Sequence, residues 1–303
     1  MILLYNEERK KIFLEELDTK ESKRMYLSLF RRSKTYEIGL NKDVYDFSLK
    51  ECLSLLVEMN PKSIGQVGAL KSQFNKYVNW AVSNGVASKN YWVLVPVDDD
   101  FAKFAFSSRY IKDINELVDV VEAGLSTPYD KYAIYLLYMG IMGNNFVELS
   151  LLRDVDVDRF NRTITTVRRK YTDIIEPLHK LLMSGGGYWS ETKLRDESSP
   201  YFIKPFKTKG RTGNPISDQY LYRLFNKMHD NLNDHNAKFT KYFTPMTVWR
   251  SGMFYALYQI EQKKGSVLLE DYNAVCDVYG SKINYSTFLK DYELYKDVFW
   301  NTE

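Results

Sequence analysis

Basic and amide side chains grouped at a few points are the part of this 303-residue chain that could do chemistry. Arg168-Arg169-Lys170 ends a run of alternating residues, VDVDRFNRTITTVRRK, and KPFKTKGRTGNP carries Lys204, Lys207, Lys209 and Arg211 among Gly and Thr. Cations presented this way suit phosphate oxygens, which accept charge-assisted hydrogen bonds from Lys and Arg. The same residues would also suit a solvated strand edge and an exposed flexible loop. Lys71, Asn75 and Lys76 fall on one side of a long amphipathic segment, away from its apolar stripe, where they form either a solvated face or a surface that touches base edges. Arg250, set between Trp249 and an apolar stretch in TVWRSGMFYAL, is either a phosphate donor or a buried ion-pair partner.

A further short stretch, MGNNFVELSLL over 142–152, follows the apolar run KYAIYLLYMGI. The Gly-Asn-Asn break, then Phe146, Leu149 and Leu152 at three-residue spacing, predicts that one helix stops and another starts at once. Asn145 then serves as an ordinary helix cap.

Other chemistries find less support. Cys52 and Cys276 have no metal-like spacing, and the only histidines are His179, His229 and His235. A disulfide scaffold, a zinc site and a bound cofactor are therefore not expected. The 42 basic residues are nearly offset by 39 acidic ones, so a polyanion-binding surface must come from local clustering. MILLYNEERKK is too short an apolar start for a signal segment, and no run approaches a membrane span, which predicts a cytoplasmic protein associated with the nucleoid through DNA.

The elements that position these residues are mostly helices. Residues 1–95 predict a helical domain, with Ser48 and Glu51 forming a capping box before an apolar segment. Val67, Leu70, Phe74, Tyr77, Val78 and Ala81 predict one long helix closed by Asn84-Gly85. Pro96 and the triplet Asp98 to Asp100 mark 96–106 as a linker. A second domain, 107–303, predicts further helices interrupted by a hairpin or three-stranded sheet with Asn161 in its turn. The stretch SGGGYWSETKLRDESSP reads as loose. The fold class is mainly α with a small antiparallel sheet.

This order of elements resembles a tyrosine recombinase (phage integrase), a two-domain DNA clamp. SIGQVGALKSQFNKYVNWAVSNGVASKN resembles the family's core-binding helix, VELSLLRDVDVD the segment before the sheet, and TVWRSGMFYAL the second arginine box. The resemblance implies a nucleophilic tyrosine, two arginines, a lysine and two histidine-type residues acting on a scissile phosphate. In this chain the first arginine's place holds Asn145, and the histidine-type places hold Thr247 and Ser281. Arg250 and Lys170 match their positions, while Tyr292 lies about two residues beyond the usual spacing, with Tyr285 and Tyr295 as rivals.

Losing one positioned donor costs about 10²–10³-fold in rate, and a general acid or base a comparable factor. The resemblance therefore implies a catalytically dead domain that keeps double-stranded DNA as partner. Phosphate contacts would fall to Arg168, Arg169, Lys170, Lys207, Lys209, Arg211 and Arg250, and base contacts to Lys71, Asn75 and Lys76. The combination also resembles the integrase-like repressors of SPβ-type Bacillus prophages, which maintain lysogeny. That implies operator binding, alone or with a regulatory protein or as a homo-oligomer on DNA. A divergent but active recombinase is the alternative, and a helical protein that binds only other proteins is a third reading.

Overall fold

The computed structural model describes residues 4–59, 61, 63–184, 195–207, 213–235 and 243–301. They fall into two compact units, 1–109 and 110–303.

The helices of the first unit are α1 (Glu7–Glu15), α2 (Lys20–Leu40), α3 (Leu49–Met59), α4 (Ile64–Ser83) and α5 (Asp99–Ser107), and short polar side chains cap the starts of all but α1. Thr19 accepts from Ser22 N, Ser63 from Gln66 N, and Asp98 from Phe101 N. Ser48 and Glu51 form the expected reciprocal box, with Ser48 N donating to Glu51 at 2.7 Å and Glu51 N to Ser48 Oγ at 3.4 Å. Helix α4 ends at Asn84, and Gly85 follows at φ 68°, a left-handed position that suits glycine.

Aromatic rings fill this unit. Phe13, Phe30 and Tyr77 meet edge to face at 4.8–6.0 Å, and Phe74 stacks on Trp92 at 4.3 Å. A charged cluster sits among them. Lys10, Glu37 and Asp43 are all buried, with Lys10 Nζ 2.5 Å from Glu37 and 3.7 Å from Asp43. Ser33 Oγ and Val44 N also donate to Glu37, and Tyr77 OH to Asp43. Burial pushes the Glu37 carboxyl up to about 7, against the pull of Lys10.

The expected linker is where structure and sequence differ. Most of 96–106 is helix α5, which packs on α3 and α4, so the boundary falls after Arg109. Asp98 caps this helix and Asp99 and Asp100 occupy its first turn, where carboxylates oppose the positive end of the helix dipole. Arg109, the last residue of the first unit, donates to the carbonyls of Val57 and Glu58 of α3.

The second unit is built around α7 (Pro128–Tyr138), in which every residue but Tyr129 is buried. Around it lie α6 (Ile114–Gly124), α8 (Val147–Ser150), α9 (Glu176–Met183), α10 (Asp218–His235), α11 (Pro245–Lys264), α12 (Leu269–Tyr279) and α13 (Tyr285–Phe299). Helices α7 and α11 meet backbone to backbone at Gly252, where a Cβ would fall 1.9 Å from Tyr138 O and 2.6 Å from Tyr279 OH of α12. Only glycine fits that crossing. Strands β1 (Val157–Asp158), β2 (Thr163–Thr165) and β3 (Lys170–Tyr171) form an antiparallel sheet in that order, with Ile164 opposite both Val157 and Tyr171. Asn161 sits in the first turn and donates to Asp158, as expected.

Two elements depart from expectation. Helix α9 has no counterpart in the sequence reading, although Pro177 in its first turn and the buried pair Leu178 and Leu182 mark it. The described end of the stretch read as loose is instead tightly held: Arg195 and Asp196 are buried, and Arg195 pairs with buried Asp130 at 3.1 Å. Residues 185–194 lie outside the described residues. Among the described residues no helix is long and apolar enough to cross a membrane.

Candidate nucleic-acid interface

The turn between β2 and β3 presents its residues outward. Val167 is 99% exposed, and the side chains beside it divide in role. Lys170 is exposed on β3 and open to an anion; the Asp158 carboxyl is lowered first by hydrogen bonds from Asn161 and only slightly by the Lys170 charge. Arg169 lies half-buried with its guanidinium 5.8 Å from the Tyr171 ring centroid.

Arg168 turns inward. Its Nη2 lies 2.9 Å from Glu148, a buried carboxylate, and donates to Tyr171 OH at 2.9 Å and Gly140 O at 3.3 Å. Thr166 Oγ1 donates to the other Glu148 oxygen. The Arg168 guanidinium lies against Gly280, where a Cβ would fall 1.2 Å from Nη1. One arginine thus ties together the loop after α7, the turn of the sheet and the end of α12. Its brace role needs Glu148 opposite it, and charge spacing in the sequence gives no sign of that.

The position taken by Asn145 is not a cap. Gly143, Asn145 and Phe146 all have positive φ (70°, 49° and 61°), and neither the 3-10 turn Asn144–Phe146 nor α8 has a side-chain cap hydrogen bond at its start. The helix expected to begin here shrinks to the single turn 147–150. Asparagine tolerates the left-handed region better than other non-glycine residues, which explains Asn145 locally. Its amide is exposed.

Thr247 and Ser281 are engaged in backbone work. Thr247 Oγ1 accepts from Thr244 N at 2.8 Å while Thr247 N donates to Thr244 Oγ1 at 3.1 Å, a capping box that starts α11. Thr247 is buried. Ser281 follows the left-handed Gly280, its N donating to Cys276 O and its Oγ accepting from Ile283 N. Arg250 Nη1 lies 3.6 Å from the buried Asp291 of α13, an ion pair that leaves a quarter of the arginine side chain exposed.

The candidate tyrosine is sealed. Tyr292 is fully buried, its hydroxyl donates to Glu261 at 2.5 Å, and Lys296 completes the cluster 2.9 Å from the same carboxylate. Burial first, then the hydrogen bond to Glu261 and that carboxylate's charge, push its pKa well above the ordinary value. A nucleophile needs the opposite shift or a base that delivers it to substrate. Tyr295 is also buried and donates to Lys112 O, while Tyr285 is half-buried against Tyr272 at 5.0 Å.

On the first unit's long helix, Lys71 donates to the carbonyls of Val93 and Val95 at 3.1 and 2.6 Å, closing the turn Tyr91–Leu94. Asn75 is one of three clustered amides: Asn90 Nδ2 lies 2.7 Å from Asn75 Oδ1 and 2.7 Å from Asn79 Oδ1. This fixes the Asn75 side chain and leaves it half-buried. Lys76 is exposed.

The basic loop splits as well. Lys204 is buried, 2.5 Å from Asp154, whereas Lys207 is exposed; Lys209 and Arg211 lie outside the described residues. Lys207 shares an open cleft of about 720 Å³ with Arg223 and Lys227 of α10. The sequence reading passed over these two residues, although their four-residue spacing places them on one helix face. The floor of the cleft is Asp130, which accepts from Tyr220 OH at 2.5 Å and Arg195 at 3.1 Å.

Residues 4–83 match the family model described as "MrpR, N-terminal core-binding domain", and residues 187–302 match "MrpR, C-terminal catalytic domain"; together these span more than half of the chain. A curated relative, the SPbeta prophage-derived uncharacterized protein YopR of Bacillus subtilis (strain 168), is 23% identical over 294 residues, covering 89% of each chain. Among solved structures, the Tn1549 transposon integrase in complex with circular intermediate DNA is 13% identical at a TM-score of 0.40, covering 94% of this chain and 93% of its own. A lambda integrase dimer bound to a COC' core site is 12% identical at 0.38, covering 98% and 95%. XerA recombinase is 13% identical at 0.40, covering 93% and 91%. Superpositions this loose place no residue of this chain on theirs.

Proposed function

Because the chain belongs to the MrpR family, whose domains are named core-binding and catalytic, we propose that it is a sequence-specific double-stranded DNA-binding protein that does not cut its DNA. We further propose that it acts as a transcriptional repressor in a prophage, in keeping with the prophage origin of its YopR relative. The observation that carries the non-cutting part is the fully buried Tyr292 hydroxyl, committed to Glu261. Thr247, bound into the cap of α11, and the exposed amide of Asn145 add to it, since neither can neutralise developing phosphoryl charge or carry a proton as the family's chemistry demands.

The binding part is supported by exposed cations on both units. Lys76 lies on the first, and Lys170, Lys207 and Arg223 on the second. Each phosphate neutralised releases counterions, so affinity should fall steeply with salt. The test is selection of bound fragments from a genomic library, followed by a reporter placed behind the enriched site. One or a few shared sites that silence the reporter support the reading. Uniform recovery of fragments, or binding that is flat between low and physiological salt, defeats it.

A further inference from the structure

Asn75 and Asn79 lie one turn apart on α4, and Asn90 follows the end of that helix. Which way their amides point is fixed by one backbone group. Trp92 N can only donate, and it lies 2.9 Å from Asn90 Oδ1. The Asn90 oxygen is therefore turned to the turn Tyr91–Leu94, and its nitrogen to α4. There Nδ2 lies 2.7 Å from Asn75 Oδ1 and 2.7 Å from Asn79 Oδ1, one partner for each of its two hydrogens. A third contact, to Asn75 O at 3.4 Å, is longer.

With their oxygens turned to Asn90, Asn75 and Asn79 present their nitrogens to a ligand. Each amide nitrogen carries two N–H donors, and neither finds a protein partner among the described residues. Asn79 is exposed, and the half-buried Asn75 has no polar atom sealed from solvent without a partner. Exposed Lys76 lies beside the pair, and α4 contains no Asp or Glu. Asn75, Lys76 and Asn79 thus form a patch of donors.

Fixed donor directions add little against phosphate, whose oxygens accept from many sides. They suit the major-groove edge of a base, where the acceptor positions are set. Guanine is the base whose edge carries two acceptors, O6 and N7, and no donor; adenine and cytosine each place an amino group there. The bidentate contact of an asparagine with adenine needs its oxygen, which here is held by Asn90. On the premise that the chain binds DNA, we infer that Asn90 is a positioning residue that sets Asn75 and Asn79 to donate to guanine O6 and N7. Four residues of helix advance about 6 Å, close to two base steps of about 3.4 Å, so the two contacts fall within about two steps of one another.

The test uses the full chain and duplexes enriched from a random-sequence pool. Each guanine of the enriched site is replaced in turn by 7-deazaguanine, which pairs normally but lacks the N7 acceptor. At one or two guanines this should weaken binding by about fivefold or more, and Asn75→Ala or Asn79→Ala should erase that difference. Asn90→Asp is the decisive variant. One carboxylate oxygen still accepts from Trp92 N, while the other can only accept, so both neighbouring amides turn their nitrogens inward and their oxygens outward. Selection repeated with this variant should lose guanine at those positions and gain adenine or cytosine, with melting close to the parent. A purely structural role would move melting and leave base preference unchanged. An enriched site indifferent to 7-deazaguanine, or recovered unaltered by Asn90→Asp, would overturn the inference while leaving DNA binding intact. Failure to enrich any duplex would overturn both.

Discussion

Arg168→Ala separates an internal brace from a DNA contact. The substitution removes the salt-bridge partner of Glu148, a carboxylate 8% exposed, and the donor to Tyr171 OH and Gly140 O. Breaking a fully buried pair costs about 3–5 kcal/mol. The Arg168 side chain is 32% exposed, so solvent screens part of that, and Thr166 still donates to Glu148. An expected loss of about 2–3 kcal/mol follows once this screening is applied. For a unit of this size that lowers Tm by roughly 4–12 °C.

Differential scanning calorimetry, with Lys170→Ala as control, measures it. Lys170 is exposed and its removal should move Tm by no more than about 2 °C. On DNA the order reverses: Lys170→Ala should reduce the slope of log affinity against log salt by about one. If Arg168→Ala melts with the parent protein while DNA affinity falls, the arginine is a phosphate contact and the brace is refuted.

Glu37, raised to about 7 against an ordinary 4.5, stabilises the first unit fully below about pH 4.5 and ceases to do so as pH rises through 7. Hydrogen exchange of the α2 amides should therefore accelerate between pH 5.5 and 8 beyond its intrinsic pH dependence, and Glu37→Gln should flatten that excess; a flat parent profile contradicts the assignment. Gly252→Ala, with its Cβ 1.9 Å from Tyr138 O, should lower Tm by several degrees, whereas Gly39→Ala in α2, with open space around it, should raise stability by up to about 1 kcal/mol. Equal effects on melting would refute the close crossing. Asn75→Ala should flatten the preference between cognate and random DNA, and Lys207→Ala should weaken both alike. Competition binding with both duplexes reads this, and identical losses for the two variants would reverse the roles.

Local rules made much of the fold legible. The stripe from Val67 to Ala81, the Ser48–Glu51 box and the Asn161 turn are each written within a few residues and were found where expected. The segment 96–106 misled because Pro96 and three aspartates resemble a linker, yet the same aspartates are the cap and first turn of α5. Asn145 misled for a related reason: asparagine serves caps and left-handed turns alike, and Gly143 with its positive φ selects the turn. The site was less legible than the fold. Whether an arginine faces solvent or braces the interior depends on what folds opposite it. Arg168 meets Glu148 from another element, and Arg250 meets Asp291 of α13. The burial of Tyr292 depends on Glu261 and Lys296, which lie on two helices.

The central claim, DNA binding without strand cleavage, is tested most directly with a nicked duplex that traps a phosphotyrosine intermediate, built on the enriched genomic site and run on native and denaturing gels. The account predicts a retarded complex on the native gel and no protein-linked DNA on the denaturing one, with Tyr292→Phe identical to the parent. A denaturation-resistant band that disappears in Tyr292→Phe, Tyr285→Phe or Tyr295→Phe would contradict it and make the protein an active recombinase.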